Sequence, residues 1–365
     1  MYLSTQILTY MGNKRKLIKS IEKIILIVRE KLGKDLLQIG DGFAGSGIVS
    51  RLCKQYSEKI WANDIASYSH TLNMCYLSNP SQSERNKISQ YIDQANQYAL
   101  AKTPPAPHFI RKYWAPHQNI TKKGERTYFS PENARRIDRY RHYILSIPEK
   151  WRPYLLAPLL IECSIHNNTN GNFSAYHTKD GIGNYGGKKG IDLKRILKPI
   201  SIQMPVFSPQ YSQISVTQMD TNKWTSHIPE LDLVYYDPPY NKHPYIIYYF
   251  LLNIINDWDI HMEIPDTYRG QPKNWTRSLY NSSSKAKKTF ENLIESTKAK
   301  FILLSYNSGG IIPLSDIQKI LEKKGKVEKI PIDHPTYNRM KGIANYKRQK
   351  KNATIQEFFW LVECK

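Results

Sequence analysis

The sequence predicts an α/β protein: a mixed, mostly parallel sheet with helices on both faces, interrupted by a long, mainly helical insert. Three observations lead there. A strand–glycine loop–helix unit stands near the start, short apolar runs bounded by turn residues return in the last third, and the stretch between them changes to helical patterns. At 365 residues the chain is long enough for two domains. The pattern divides it into residues 1–78 plus 219–365 for the sheet and 79–218 for the insert.

Each element has its own local reason. From Lys16 to Leu32 apolar residues recur at helical spacing, and Gly33 stands where a helix C-cap would. "DLLQIGDGFAGSGIVSRLCKQY" reads as strand, glycine loop and helix, and "KIWANDIA" as a second short strand ending on Asn63-Asp64. "KTPPAPHF" is an extended connector. In "YFSPENARRIDRYRHYIL", Ser130 is placed as N-cap and Pro131 as the first helical residue, with Arg135, Arg136, Arg139 and Arg141 following. "LLAPLLIECSI" predicts a buried helix, and "HNNTNGNFSAYHTKDGIGNYGGKKG" a loop or hairpin. "LDLV" is a brief apolar run that stops at "YYDPPYNKHPY". "KFILLSYNSGG" and "TIQEFFWLVECK" read as strands. No acid lies between Asp333 and Glu357, whereas Arg339, Lys341, Lys347, Arg348, Lys350 and Lys351 do, so a basic loop is expected between the last two strands.

Composition narrows the partners. Lys and Arg number 53 against 31 Asp and Glu, a formal net charge of +22. A surplus that large suits a polyanion, because each cation that meets a phosphate releases condensed counterions. The 26 Tyr and 7 Trp suit stacking on bases. "IEKIILIVREKLG" is too short and charged to span a membrane, and the N-terminus lacks the apolar core and cleavage site of a signal peptide. Four cysteines without a C-x-x-C pair read as reduced thiols of an intracellular protein. Ten histidines show no ligand spacing, so no metal site is expected.

Two motifs carry chemistry. "GDGFAGSG" contains G-x-G-x-x-G at Gly40, Gly42 and Gly45, with Asp64 further on, as in a Rossmann-like nucleotide site. The loop alone does not separate a nicotinamide cofactor from another adenosine cofactor. The second motif, Asp237-Pro238-Pro239-Tyr240, ends a buried strand on a carboxylate and two locked backbone angles. Alone, it is an ordinary strand end followed by a tight turn.

Together with "YMGNKRKL" (Tyr10–Leu17), "FAGSG", "NDI", "LLSYNS" (Leu303–Ser308) and "EFFWL", in this order, these motifs make the chain resemble a known family. It is similar to the N6-adenine-specific DNA methyltransferases of the Dam-like, or D12, class, alpha-type in motif order and found in restriction-modification systems. "YFSPENARRID" and "HNNTNG" resemble segments of that class's target-recognition insert. The resemblance implies a Rossmann-like methyltransferase sheet and S-adenosyl-L-methionine as cofactor. It implies a cofactor cradle from Asp41, Phe43, Ala44, Gly45, Ser46 and Gly47, with Asp64 and Ile65 at the ribose. Tyr10, Gly12 and Lys14 would meet the cofactor carboxylate, and Asp220 the amine of its adenine. Asp237, Pro238, Pro239 and Tyr240 would be catalytic. An exocyclic amine is a poor nucleophile, and the Asp237 carboxylate and Pro238 carbonyl offer two fixed acceptors to aim its lone pair. Tyr240 would stack on an extruded base.

Double-stranded DNA is the expected partner. Arg135, Arg136, Arg139, Asn167, Asn168, Lys188 and Lys189 of the insert would read or hold it, and Arg339, Lys347, Arg348, Lys350 and Lys351 would meet phosphates. The resemblance also implies a cognate restriction endonuclease, action as a monomer, and a cytoplasmic setting in a prokaryote or phage host. N4-cytosine and RNA amino methyltransferases are the alternatives, although cytosine enzymes more often show Ser where Asp237 stands. A protein glutamine methyltransferase usually shows Asn there. Of other classes, a nicotinamide enzyme would explain only the glycine loop, and a non-catalytic nucleic-acid binding module only the charge.

Overall fold

In the computed structural model of the chain the described residues are 1–101, 108–118, 120–187, 190–242, 244–273, 278–332 and 356–365. In chain order they form α1 (Ile18–Leu32), β1 (Leu37–Asp41), α2 (Ile48–Lys54), β2 (Ser57–Asp64), α3 (Ser67–Tyr76), α4 (Gln82–Leu100), α5 (Phe109–Tyr113), α6 (Pro131–Ser146) and α7 (Arg152–Ile165). A hairpin, β3 (Thr178–Lys179) and β4 (Ile182–Gly183), precedes α8 (Leu193–Leu197). The rest is β5 (Gln213–Gln218), α9 (Thr221–Trp224), β6 (Leu231–Tyr236), α10 (Tyr245–Asp257), α11 (Ala286–Ser296), β7 (Ala299–Asn307), α12 (Leu314–Lys324), β8 (Gly325–Ile332) and β9 (Glu357–Cys364).

Among the described residues seven strands make one sheet, ordered β5-β2-β1-β6-β7-β9-β8. The first five in that order run parallel, and β9 is antiparallel to both β7 and β8. The chain winds outward from β1 through β2 to β5, then crosses to the other side of β1 with β6. That reversal opens a crevice beyond the carboxyl ends of β1 and β6, the place where open α/β sheets hold ligands. Asp41 at the end of β1 lies opposite Tyr235 of β6. The glycine loop and the Asp-Pro-Pro-Tyr turn therefore leave the sheet side by side.

β6 is buried along its whole length because helices cover both faces. Leu233 and Tyr235 pack with α1 and α2, while Val234 and Tyr236 pack with α9, α11 and α12, the alternation a strand imposes. Gly33 ends α1 in the left-handed region at φ 61°, and the Ser130 hydroxyl accepts from the Asn133 N–H at 3.1 Å to start α6. The mixed, mostly parallel sheet flanked by helices agrees with the expected fold class.

The expected insert boundary shifts. β5 falls within residues 79–218 yet pairs in parallel with β2 as an edge of the main sheet. Its sequence, QISVTQ, has no buried run, because an edge strand needs none; only intermediate and exposed positions occur along it. α12 and β8 likewise precede the expected basic loop, so β8 and β9 bracket it. That segment, residues 333–355, lies outside the described residues. The helices of the insert do not form a separate core. Side chains of α4 to α7 share one apolar cluster with Tyr68 and Leu72 of α3 and Tyr249 and Leu252 of α10.

Candidate active site

β6 delivers Asp237 to the crevice. Its carboxylate keeps 18 % of its side-chain surface, and burial pushes the carboxyl up to about 6 against the pull of the Lys14 ammonium. Lys14 itself is buried, with Nζ 3.0 Å from Asp237 Oδ1, out of line for a hydrogen bond, and 2.5 Å from Glu357 Oε1. Pro238 is buried and Pro239 lines the cleft. The Tyr240 ring meets Tyr306 edge-on at 6.1 Å, and its hydroxyl crowds Gly12. A Cβ at residue 12 would stand 2.7 Å from that oxygen, and φ is 70° there, so both space and backbone demand glycine.

Tyr10 docks the N-terminal motif by stacking. Its ring lies 5.3 Å from Tyr245 and 4.5 Å from Tyr249, nearly parallel to both. The Met11 N–H donates to the Tyr249 hydroxyl at 2.6 Å. α10 is non-helical at Tyr249 (φ −125°, ψ 19°), which bends the helix at the stack.

The glycine loop is shaped from below and from the side. Gly45 and Gly47 take positive φ (51° and 76°). Asp64 Oδ2 accepts from Gly45 N–H at 2.8 Å and Oδ1 from Ala66 N–H at 2.9 Å, so one carboxylate ties β2 to the loop. Asp41 does not reach the cleft. It is wholly buried, accepts from the Ser50 hydroxyl at 2.6 Å, and is pushed up to about 7 by burial. Its expected place in the cofactor cradle is corrected to a support beneath the loop.

A cleft of about 560 Å³ runs from this loop to α10, with Tyr10, Phe43, Asp64, Ile65, Asp220, Asp237 and Tyr245 in its wall. A small annex of about 30 Å³ adjoins it, walled by Gly12, Lys14, Ala44 and Ser46. Ile65 is 44 % exposed, a large apolar side chain left open beside Asp64. Asp220 caps α9, accepting from Asn222 N–H at 3.0 Å, and still faces the cleft. Carboxylates beside an open aliphatic and an aromatic face suit a purine nucleoside: hydroxyls and an amine for the acids, a ring for the apolar faces.

The five described residues expected on DNA have other partners. Arg135 and Arg136 both pair with Glu132, at 2.9 and 2.7 Å. Arg139 is buried, donates to the Tyr98 carbonyl at 2.6 Å, and lies 4.2 Å over the Tyr98 ring. Asn167 is buried and ties its amide to the carbonyls of Cys163 and Ser164, while Asn168 bonds Asn184 and Gly186. Arg139, Asn167 and Asn168 are therefore corrected from DNA contacts to internal fixtures. A cluster of cations and amides in sequence does not distinguish a contact surface from a self-bonded one. Lys188, Lys189, Arg339, Lys347, Arg348, Lys350 and Lys351 lie outside the described residues.

Sequence reasoning missed the α10 wall (Tyr245, Phe250, Asn253), Tyr280 and Glu357. The aromatic run "YIIYYF" directly after the Asp-Pro-Pro-Tyr turn was the available signal for α10. For Glu357 it was its position as the acid closing the acid-free stretch.

Comparison with known proteins gives this geometry its context. The profile of the D12 class N6 adenine-specific DNA methyltransferases matches residues 10–320. The chain is 30% identical to the type II methyltransferase M.NlaIII of Neisseria lactamica, over 98% of this chain and 99% of that one. It is 25% identical to the type II methyltransferase M.CviAII of Paramecium bursaria Chlorella virus 1, over 90% and 92%. It is 27% identical to the type II methyltransferase M.FokI of Planomicrobium okeanokoites, over 97% of this chain but only 52% of that protein. The matched span runs from the Tyr10 stack through both cleft motifs to α12, and the chain belongs to the D12 class N6 adenine-specific DNA methyltransferases, whose methyl donor is S-adenosylmethionine.

Proposed function

We propose that the chain methylates adenine N6 at one sequence in double-stranded DNA, with the target base turned out of the stack into the cleft beside Asp237. The observation that carries this reading is the half-buried Asp237 carboxylate, held at the tip of β6 and followed by two prolines at the switch point of the sheet. S-adenosylmethionine supplies a methyl group on a sulfonium. The chain's residues fit such a donor: Asp64 for ribose hydroxyls, Asp220 for the adenine amine, Ile65 and Phe43 for the ring, and the Gly45–Gly47 turn for close backbone approach.

Asp237 and the Pro238 carbonyl then act on the target. Each accepts one N–H of the amine, which draws the nitrogen toward tetrahedral geometry and aims its lone pair. This is positioning and electrostatic preorganisation, and Asp237 need not remove a proton before attack. A base inside a duplex cannot reach this carboxylate, so extrusion onto the Tyr240 ring is part of the reading. The insert would read bases and residues 333–355 would meet phosphates. The relatives named above are type II methyltransferases, which supports a cognate endonuclease as partner and cytoplasmic action. Among the described residues no helix is long and apolar enough to cross a membrane.

Nucleoside mass spectrometry after reaction with a mixed-sequence duplex tests the base: N6-methyladenine is expected, and N4-methylcytosine as sole product overturns the reading. Asp237→Ala should abolish transfer while leaving the donor Kd within about tenfold, because its carboxylate acts on the amine. Full activity of that variant would remove Asp237 from the chemistry.

A further inference from the structure

Glu357 is a buried acid placed against the catalytic carboxylate. It is the first residue of β9, is 5 % exposed, and pairs across the sheet with Asn307 of β7. Its Oε1 accepts from Lys14 Nζ at 2.5 Å and from the Ser305 hydroxyl at 2.9 Å. Lys14 thus stands between two carboxylates, the short, aligned bond going to Glu357 and the longer, misaligned contact to Asp237. Burying a second carboxylate beside an ion pair is costly, since each charge leaves water. A Lys14–Asp237 pair alone would have been neutral and closed.

We propose that Glu357 is a positioning residue for methyl transfer: it takes the direct bond of the Lys14 ammonium, so that this ammonium steadies Asp237 without closing its carboxylate to the target amine. The proposal rests on Asp237 being the amine's acceptor. Two acids share one cation, so the cluster keeps one negative charge when both are ionised. That charge faces the nitrogen as it turns cationic during transfer, and it stays because Lys14 is committed elsewhere. Ser305 fixes the arrangement by holding the same oxygen that Lys14 uses.

The sign of the effect follows from the neighbours. The groups facing Asp237 are Lys14 from the N-terminal motif, Glu357 from β9, Asp41 and Tyr235 from β1 and β6, Tyr240 from the turn, and Tyr245 from α10. Glu357 opposes the ionisation of Asp237 and Lys14 favours it. Glu357→Gln should therefore move the acid limb of kcat to lower pH, and Lys14→Gln should move it to higher pH. Each shift should be roughly one pH unit, the scale of a neighbouring buried charge. In the double variant the limb should return toward that of the parent enzyme.

Steady-state kinetics across pH, with melting temperature as a control for folding, makes the test. For Glu357→Gln, kcat above the limb should fall roughly tenfold with KM for S-adenosylmethionine changed less than about threefold, as expected for a group acting only in the chemical step. An unmoved limb with unchanged kcat overturns the proposal, as does a loss confined to melting temperature. If Glu357→Gln does not fold, Lys14→Gln decides alone: a limb that does not rise overturns the proposal. Failure here is distinct from failure of the functional reading. An active Asp237→Ala removes Asp237 itself, whereas an inactive Asp237→Ala with an unmoved limb in Glu357→Gln removes only Glu357.

Discussion

Gly12 and Asp41 show how single residues set the site through backbone shape and buried support. Gly12 needs a left-handed backbone and leaves room for the Tyr240 hydroxyl at the same atom. Gly12→Ala should cost about 1–2 kcal/mol from the strained φ alone and also displace the Tyr240 ring, lowering kcat. Adding Tyr240→Phe removes the clashing oxygen, so the double variant should recover part of the activity but none of the backbone cost. Thermal melts and initial rates on both variants read this, and a double variant no better than the single would place the damage elsewhere. Asp41 acts through its proton. Burial raises its carboxyl to about 7, above the usual carboxylate value, so the folded state holds a proton that the unfolded chain releases. Its contribution to stability is therefore fully present at low pH and is lost as pH rises through 7. Asp41→Asn should flatten that part of the stability-versus-pH curve, and denaturant melts between about pH 5 and 8 would show an unchanged slope if Asp41 titrates normally.

At the scale of elements, an N-terminal strap, residues 1–17, is tied to α2, to the segment before β5 and to α10 by contacts distant in sequence. Arg51 of α2 is buried, lies 3.8 Å over the Tyr76 ring, and donates to the carbonyls of Tyr2, Thr5 and Gln6. Gln6 bonds Met204 and Val206 in turn, and Tyr10 stacks on α10. Arg51→Leu should leave three carbonyls short of a donor, destabilise the protein by about 3 kcal/mol, and loosen the strap that carries Tyr10, Gly12 and Lys14. The donor Kd should therefore rise although Arg51 lines no part of the cleft, a result that equilibrium dialysis measures; an unchanged Kd in a destabilised variant would uncouple strap from site. The strap also marks where sequence reading ends. Strand–loop–helix, the Ser130 cap and the buried β6 run are local signals, and each was legible. β5 was not, because an edge strand with no buried position carries no apolar run. The aromatic stack and the Lys14–Glu357 bond join residues far apart in the chain, and no local pattern encodes them. Arg139 and Asn167 read as contact chemistry for the same reason: sequence shows donors but not the carbonyls that occupy them.

Charge is separated by place across the whole molecule. The chain carries +22, yet among the described residues the main cleft is lined by Asp64, Asp220, Asp237, Asp257 and Asp259 and by no Lys or Arg. An acidic cleft suits a cationic donor, and the positive excess outside it suits a polyanion whose bases are to be brought there. The densest part of that excess in sequence is Lys347, Arg348, Lys350 and Lys351, within the acid-free stretch that ends at Glu357. Cations that meet phosphates contribute affinity without sequence information, through release of condensed counterions. Replacing these four by Ala should weaken binding to cognate and random duplexes by the same factor. The slope of log K against log salt should fall by about 0.9 for each phosphate that no longer meets a cation, while the methylated sequence stays the same. Fluorescence anisotropy over a salt series, with mapping of modified adenines, checks both parts. A changed methylation site at an unaltered salt slope would assign base reading to this segment and phosphate contact to the insert.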